Sequence, residues 1–253
     1  MMFAPSIIRP QRAFTLIELL VVVAIIALLI AVLIPSLARA RERSKRAVCF
    51  SNLRQIAIGM RSYAHEYEDR VPLVFGNSKQ YNQDFWYGGS LADLTTYPSR
   101  YRGQGILYQL RIVTDHKGFR CPSATDDRFV LGTAKCPWPP VVGTSTESAY
   151  GVRPVVLASY SQATYVTGYR NWPRFLTLNN SAIVADHVLD LSLRNRHVDG
   201  VNVAYTDGSA EFIARARFNT DLMLYPTYSY MTPYGTKADA QASDRIWAEF
   251  DKR

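Results

Sequence analysis

Cysteine is scarce in this chain of 253 residues, which contains three, at Cys49, Cys121 and Cys136. This number excludes a small scaffold held together by many disulfides, and the spacing matches no common zinc-binding motif. Cys121 and Cys136 enclose a short loop that contains proline, so they form a candidate disulfide in an oxidising compartment. Cys49 is then left over among apolar residues of a predicted helix, where cysteine usually serves as a small buried hydrophobic side chain.

Acidic residues are absent from residues 1–13, and the next 21 residues, 14–34, contain one charged side chain, Glu18. A helix of this length is about 31 Å long, which matches the hydrocarbon core of a membrane. The stretch is longer than the apolar region of a secretory signal, and no small-residue cleavage site follows it. It is therefore predicted to be a retained transmembrane helix rather than a buried helix of a soluble protein.

The formal net charge of +8 is concentrated on both sides of this stretch. Arg9 and Arg12 precede it and favour a cytoplasmic N-terminus, although the basic residues that follow compete on the positive-inside rule. Those residues can contact anionic lipid headgroups, so a lipid partner is expected and a nucleic-acid partner is not. The basic residues that follow are Arg39, Arg41, Arg43, Lys45, Arg46, Arg54 and Arg61.

Glu18 is unusual because a carboxylate inside a membrane span costs a few kcal/mol unless it has a partner. A cut before Phe14 would create an α-amino group four residues from Glu18. The amine of a neighbouring subunit could then neutralise this carboxylate within the membrane.

Residues 12–18, Arg-Ala-Phe-Thr-Leu-Ile-Glu, and the apolar run after them resemble the prepilin cleavage and methylation signature of type IV pilins and type II secretion pseudopilins. The resemblance implies that a prepilin peptidase of the inner membrane cuts between Ala13 and Phe14 and methylates the new amine of Phe14. It also implies that Glu18 guides subunit docking and that Pro35 kinks the helix. The family usually has glycine where this chain has Ala13, so slower processing is expected.

The rest of the chain predicts an α+β fold of the pilin type, with a long N-terminal helix packed on an antiparallel β-sheet. Apolar residues at steps of three and four continue the helix through residues 35–67. Residues 68–150 contain many turn formers and predict loops with short elements, with helix or strand left open for 104–112. Residues 1–13 are thus the leader, 14–34 the membrane helix, 35–67 its amphipathic continuation, and 68–253 a loop-rich extracytoplasmic β domain.

Strands are predicted at residues 155–157, 163–166, 183–189, 201–206 and 209–214, and a type I′ turn at Asp207-Gly208 joins the last two. His197 lies ten positions before Asp207. A histidine, nine residues and Asp-Gly are similar to a C-terminal signature that accompanies pilin-like N-termini in many bacterial proteins. Residues 49–56 also resemble the helix that follows the membrane segment in those proteins.

Carboxylates and imidazoles are concentrated near these last strands, and a bound cation is one explanation. Calcium is the preferred ion, because oxygen ligands dominate and some pseudopilins hold calcium near the C-terminal sheet. Alternatively, Asp207 is a turn residue and His197 is a hydrogen-bonded histidine of the preceding loop. The candidate ligands are Asp186, Asp190, His197, Asp199 and Asp207.

The leading functional hypothesis is a structural subunit that polymerises through its N-terminal helix into a pilus or a pseudopilus, with prepilin peptidase and other pilin-like subunits as partners. The first alternative is a membrane-tethered module that binds carbohydrate through an aromatic platform and does not polymerise. A tethered enzyme is the second alternative, although no catalytic motif is visible. The aromatic residues are Tyr63, Tyr67, Phe85, Trp86, Tyr87, Trp138 and Trp172.

Overall fold

The computed structural model describes residues 15–72, 75–76, 79–80, 84–86, 88, 100–153, 174–186, 197, 199–217 and 246–252. The chain divides into two units, Met1–Arg43 and Ser44–Arg253. Several predicted features lie outside the described residues, namely the cleavage site Ala13 and Phe14, the candidate ligand Asp190, the aromatic residues Tyr87 and Trp172, and strands 155–157 and 163–166.

Helix α1 spans Leu16–Glu66, so the apolar run and its amphipathic continuation form one helix, as predicted. The sequence favours this length because it has no glycine before Gly59 and one proline, Pro35, inside the helix. Proline removes one backbone donor and usually bends a helix, and a bend at Pro35 stays a prediction. The helix ends where Glu68 and Asp69 adopt positive φ.

One face of α1 supplies part of the core of the unit Ser44–Arg253. Its buried residues recur at steps of three and four, which places them on one stripe of the helix. They pack in a cluster that includes Phe85, Leu107, Phe119, Tyr150 and Val184. The buried residues of α1 are Cys49, Leu53, Ile56, Ala57, Gly59, Met60 and Ala64.

Within the described residues the strands form three antiparallel sheets, which confirms the predicted α+β class. Strands β1 (Phe75–Gly76) and β2 (Lys79–Gln80) pair with each other. Strand β3 (Asp84–Trp86) pairs with β4 (Thr146–Glu147), and helix α2 (Gln104–Gln109) lies between them in sequence. The main sheet has the order β5-β6-β7-β8, formed by Tyr150–Val152, Ala182–Asp186, Gly200–Tyr205 and Ala210–Ala214.

The two faces of the main sheet belong to different apolar clusters. Ala204 contributes to the cluster that contains α1, whereas Val201, Val203 and Tyr205 contribute to a second cluster. This alternation along β7 follows from the two-residue period of a strand. The second cluster also contains Ile246, Trp247 and Phe250 of the helical residues 246–251. Both faces of β7 are therefore buried.

The hairpin between β7 and β8 is confirmed, but its predicted type I′ turn is wrong. A type I′ turn requires positive φ at both central residues, and here Gly208 has φ of 82° while Asp207 is not among the residues with positive φ. The amide of Gly208 donates to the carbonyl of Tyr205, and the amide of Tyr205 donates to the carbonyl of Ser209. These bonds define a three-residue loop that ends in a glycine, a common hairpin connection.

Two isoleucines of α1 test whether this helix face carries the stability of the folded unit. Ile56 is fully buried and Ile58 is 51% exposed. Ile56→Ala should lower the free energy of unfolding by about 2–5 kcal/mol, because it removes buried methylene groups and leaves a cavity. Ile58→Ala makes the same chemical change outside the core and should alter it by less than about 1 kcal/mol. Urea unfolding of the full chain in detergent, followed by tryptophan fluorescence, measures both, and equal effects would contradict the assigned face.

Candidate functional site

The apolar part of α1 is exposed in the single chain. None of the side chains in its most apolar stretch is buried, and Leu16 and Ile17 are about three-quarters exposed. Among the described residues, α1 is the one helix long and apolar enough to cross a membrane. A continuous apolar surface of this length is rare on soluble monomers and marks contact with a membrane or with other proteins. The helix is thus compatible with a single-pass membrane anchor.

Thr15 and Glu18 form a reciprocal cap at the start of α1. The Thr15 amide and hydroxyl both donate to Glu18 Oε2, at 2.9 Å and 2.8 Å. The Glu18 amide donates in turn to Thr15 Oγ1 at 3.2 Å. This capping box satisfies backbone donors that a helix otherwise leaves unpaired at its N-terminus. Glu18 therefore has a role within its own helix, which Thr-x-x-Glu before an apolar run could have indicated.

Two of the basic residues after the apolar run act within the fold. Arg46 forms an ion pair with Asp199 at 2.8 Å and lies over the ring of Phe212, 4.4 Å from its centroid. Arg54 donates from Nε to the carbonyl of Gly208. These contacts connect α1 to the β7–β8 hairpin and its flanks. Arg46 and Arg54 therefore have partners within the protein, in addition to the lipid headgroups predicted for them.

Four buried side chains from distant parts of the sequence converge beside α1. Cys49, Cys121, Asp186 and His197 each offer one donor atom, and the four atoms lie within 4.8 Å of one another. Cys49 Sγ is 3.1 Å from Cys121 Sγ, and Cys121 Sγ is 3.7 Å from His197 Nε2. His197 Nε2 is 3.6 Å from Asp186 Oδ2. We refer to these four residues as the thiol–imidazole–carboxylate cluster.

Each member of the cluster comes from a different element. Cys49 lies on the buried stripe of α1, and Cys121 follows a 3₁₀ helix at His116–Phe119. Asp186 ends β6, while His197 precedes β7. At the start of β7 the backbone of Gly200 lies close to β8, and a Cβ atom on Gly200 would be 2.1 Å from the carbonyl oxygen of Ile213. The cluster therefore connects the helix to the main sheet.

A second layer of polar groups orients the cluster. Asp186 Oδ2 accepts hydrogen bonds from the backbone amide of Asn202, at 2.7 Å, and from its Nδ2, at 2.8 Å. On the other side, Tyr150 donates its hydroxyl to the carbonyl of Arg120, and Asn52 Nδ2 donates to both of these groups. Asn202 and Tyr150 are fully buried. The carboxylate is therefore held in place by an amide from the neighbouring strand.

The Cys49 thiol is strongly perturbed by these surroundings. The pKa of Cys49 is raised far above its ordinary value by its hydrogen bond with Cys121, and then by burial and by the negative charge of Asp186. Burial also raises the pKa of Tyr150, which keeps its hydroxyl a neutral donor at physiological pH. In the absence of a cation, Cys49 is therefore a neutral thiol.

The structure separates the candidate ligands that the sequence grouped together. Asp186 and His197 lie in the cluster, whereas Asp199 pairs with Arg46. Asp207 Oδ1 accepts hydrogen bonds from the amide and hydroxyl of Ser209, so the alternative role as a turn residue is supported. Two thiols and an imidazole beside one carboxylate are not the oxygen-only set that calcium prefers.

The cysteines are arranged differently from the predicted pairing. None of the three is part of a disulfide in the structure, and Cys121 lies beside Cys49, so the structure gives no support to a Cys121–Cys136 bridge. Cys136 is buried elsewhere, outside the cluster. Sequence reasoning missed Cys49 and Cys121 as partners of His197, because their separations in the chain match no local motif.

The described aromatic side chains pack mainly against one another. Phe85 is 1% exposed and contacts four other rings, Tyr101, Tyr108, Phe119 and Trp138. Trp86 packs edge-on against Tyr101, while Tyr63 and Tyr67 stack on each other at 4.3 Å. These contacts assign Phe85 to the core and show that Trp86 and Trp138 pack against neighbouring rings, and the carbohydrate platform stays a prediction.

Comparison with known proteins gives one result, at the N-terminus. The sequence model of the prokaryotic N-terminal methylation motif matches residues 8–34. No curated protein and no solved structure matches the chain significantly. The motif is that of a prepilin-type substrate and implies processing by prepilin peptidase. A long apolar N-terminal helix followed by antiparallel sheets is consistent with a type IV pilin-like protein. The methylation motif points to a structural subunit.

His116 provides a test of the aromatic packing through pH. Its ring stacks on Trp138 at 4.2 Å, and burial lowers its pKa, although Asp115 opposes this shift. The unfolded chain therefore binds the proton more tightly, so the stabilisation present above about pH 6.5 is lost as the pH falls below this value. His116→Phe keeps a ring without titrating. The free energy of unfolding of this variant should decrease less than that of the wild type between about pH 7.5 and pH 5. Equal decreases would show that protonation of His116 does not cause the loss of stability.

Proposed function

We propose that this protein is a pilin-like subunit that is cut between Ala13 and Phe14 and assembles through α1 with other subunits into a pilus or a type II secretion pseudopilus. The observation that carries the proposal is an apolar helical segment, exposed along its length, that bears the methylation motif at its N-terminal end. A helix that served only as a core element would be covered by its own chain. A helix that serves first as an anchor and then as an assembly surface needs this exposure.

The assembly step exchanges one apolar environment for another. In the membrane the side chains of residues 16–34 contact lipid tails, so helix association depends on close packing and on polar groups more than on the hydrophobic effect. Glu18 is the polar group available in this segment. The attraction between its carboxylate and the N-terminal amine of a neighbouring subunit would be strong in a medium without water. This ion pair would set the axial position of each subunit.

The geometry of the cap is compatible with this role. Glu18 Oε2 accepts from Thr15, whose amide and hydroxyl both lie on the C-terminal side of the proposed cut. The cap can therefore persist after cleavage and hold the carboxylate at the end of α1. Each contact would join the N-terminus of one subunit to Glu18 of the next, a head-to-tail arrangement that produces an open helical filament.

The first test is the identity of the mature N-terminus. The full chain, expressed with a prepilin peptidase, should lose residues 1–13 and begin at Phe14 with one added methyl group, as measured by intact mass and terminal sequencing. Ala13→Gly should raise the processed fraction, because glycine restores the residue that the resemblance places before the cut. Expression without the peptidase is the control. A chain that stays uncut in both forms would contradict the proposal and favour the tethered module.

The second test separates the docking role of Glu18 from its cap. Glu18→Ala should leave membrane insertion and cleavage intact and strongly reduce crosslinked oligomers, because it removes the carboxylate that neighbouring amines would contact. Thr15→Ala is the matched control, since it removes the hydroxyl partner of the cap and retains the carboxylate. It should assemble nearly as well as the wild type.

Two outcomes of this comparison would count against the docking role. Equal loss in Glu18→Ala and Thr15→Ala would assign the effect to the helix cap, which contributes about 1 kcal/mol to a helix. Normal oligomers of Glu18→Ala would remove the carboxylate from assembly altogether. Crosslinking in isolated membranes, followed by gel electrophoresis, gives both readings.

A further inference from the structure

The thiol–imidazole–carboxylate cluster is a set of buried polar groups beside the apolar core. Cys49 and Cys121 belong to the cluster of core residues that includes Leu53, Tyr150 and Val184. His197 and Asp186 are 2% and 3% exposed beside them. Burying a carboxylate and an imidazole is costly unless they are paired or coordinate a metal. A function that requires all four groups explains why they converge.

The donor types identify the class of ion. Thiolate sulfur and imidazole nitrogen are the ligands that zinc prefers, and a carboxylate oxygen also serves. Calcium and magnesium prefer oxygen throughout, so the two thiols disfavour both. The number of donors is four, which is the coordination number of structural zinc sites, and all four are buried.

Two of the distances between donor atoms agree with a tetrahedral ion, and a third would have to lengthen. With Zn–S of about 2.3 Å and Zn–N of about 2.0 Å, neighbouring ligand atoms lie about 3.3–3.8 Å apart. The separations of 3.7 Å from Cys121 Sγ to His197 Nε2 and of 3.6 Å from His197 Nε2 to Asp186 Oδ2 fall in this range. The two sulfurs, at 3.1 Å, would move apart by roughly 0.7 Å.

We propose that Cys49, Cys121, Asp186 and His197 form a structural zinc site that fastens helix α1 to the main sheet. Both thiols bind as thiolates, so binding of one Zn²⁺ releases two protons to solvent and changes no oxidation state. Asn202 acts from outside the site, because its two hydrogen bonds orient the carboxylate of Asp186. The site is independent of the proposed assembly function, since its residues all lie in the unit Ser44–Arg253.

A disulfide between Cys49 and Cys121 is the competing product of the same two thiols. It would bond both sulfurs, but it would not explain why His197 and Asp186 lie beside them. The two products differ in metal content and in mass, since a disulfide forms with the loss of two hydrogens to an oxidant. One preparation therefore distinguishes them.

The test is metal analysis of the full chain, purified in detergent without chelator or reductant. The wild type should contain about one zinc per chain, and Cys121→Ser close to none, because one ligand is missing. Cys136→Ser is the matched control, since it removes a buried cysteine outside the cluster and should retain the zinc. Asn202→Ala should bind zinc about 10- to 100-fold more weakly while keeping all four ligands.

Cobalt spectroscopy keeps the proposal testable if Cys121→Ser does not fold. The reduced, chelator-treated wild type, titrated with Co²⁺, should show thiolate-to-cobalt charge-transfer absorption and the intense visible bands of tetrahedral cobalt, and Zn²⁺ should abolish them. Two results would overturn the proposal. One is a chain without zinc whose peptide map links Cys49 to Cys121, and the other is a chain with free thiols that binds neither ion.

Discussion

Burial of one stripe of α1 against the main sheet is the constraint on which the folded unit depends. The stripe supplies six hydrophobic side chains to the core, and strands β5 to β7 contribute others to the same cluster. The contacts of Arg46 with Asp199 and Phe212, and of Arg54 with Gly208, follow from that docking. So does the position of Cys49, which places a thiol next to Cys121 and within reach of His197. The cluster exists because the helix packs where it does.

The same helix serves two environments in succession along its length. Residues 16–34 offer apolar side chains in every direction, which suits a segment surrounded by lipid or by other helices. From Cys49 onward the buried apolar residues lie on one stripe, which suits packing on a sheet. The change from one pattern to the other explains why one continuous helix belongs to two structural units. Glu18 interrupts the first pattern, and its cap with Thr15 gives it a partner within its own helix.

Zinc bound at the cluster would stabilise the folded unit by joining its parts through one ion. The four ligands come from α1, from the segment after a 3₁₀ helix, from β6 and from the entry to β7, so an ion there would join four parts of the chain that are distant in sequence. Loss of the ion would leave two thiols, an imidazole and a carboxylate inside the core, which is unfavourable because each group loses its water on burial. Metal and core would therefore be coupled.

The sequence by itself determined the long apolar helix, the N-terminal methylation motif, the continuation of α1 and the final hairpin, because each of these depends on local periodicity or on adjacent residues. It did not determine the turn type at Asp207-Gly208, since the backbone geometry there follows from the pairing of β7 with β8 and not from the two residues alone. The tertiary structure alone decided which cysteine lies beside Cys121, and it separated Asp186 and His197 from Asp199 and Asp207. Residues 49, 121, 186 and 197 are brought together only by the packing of a helix on a sheet, and no spacing within the chain encodes that contact.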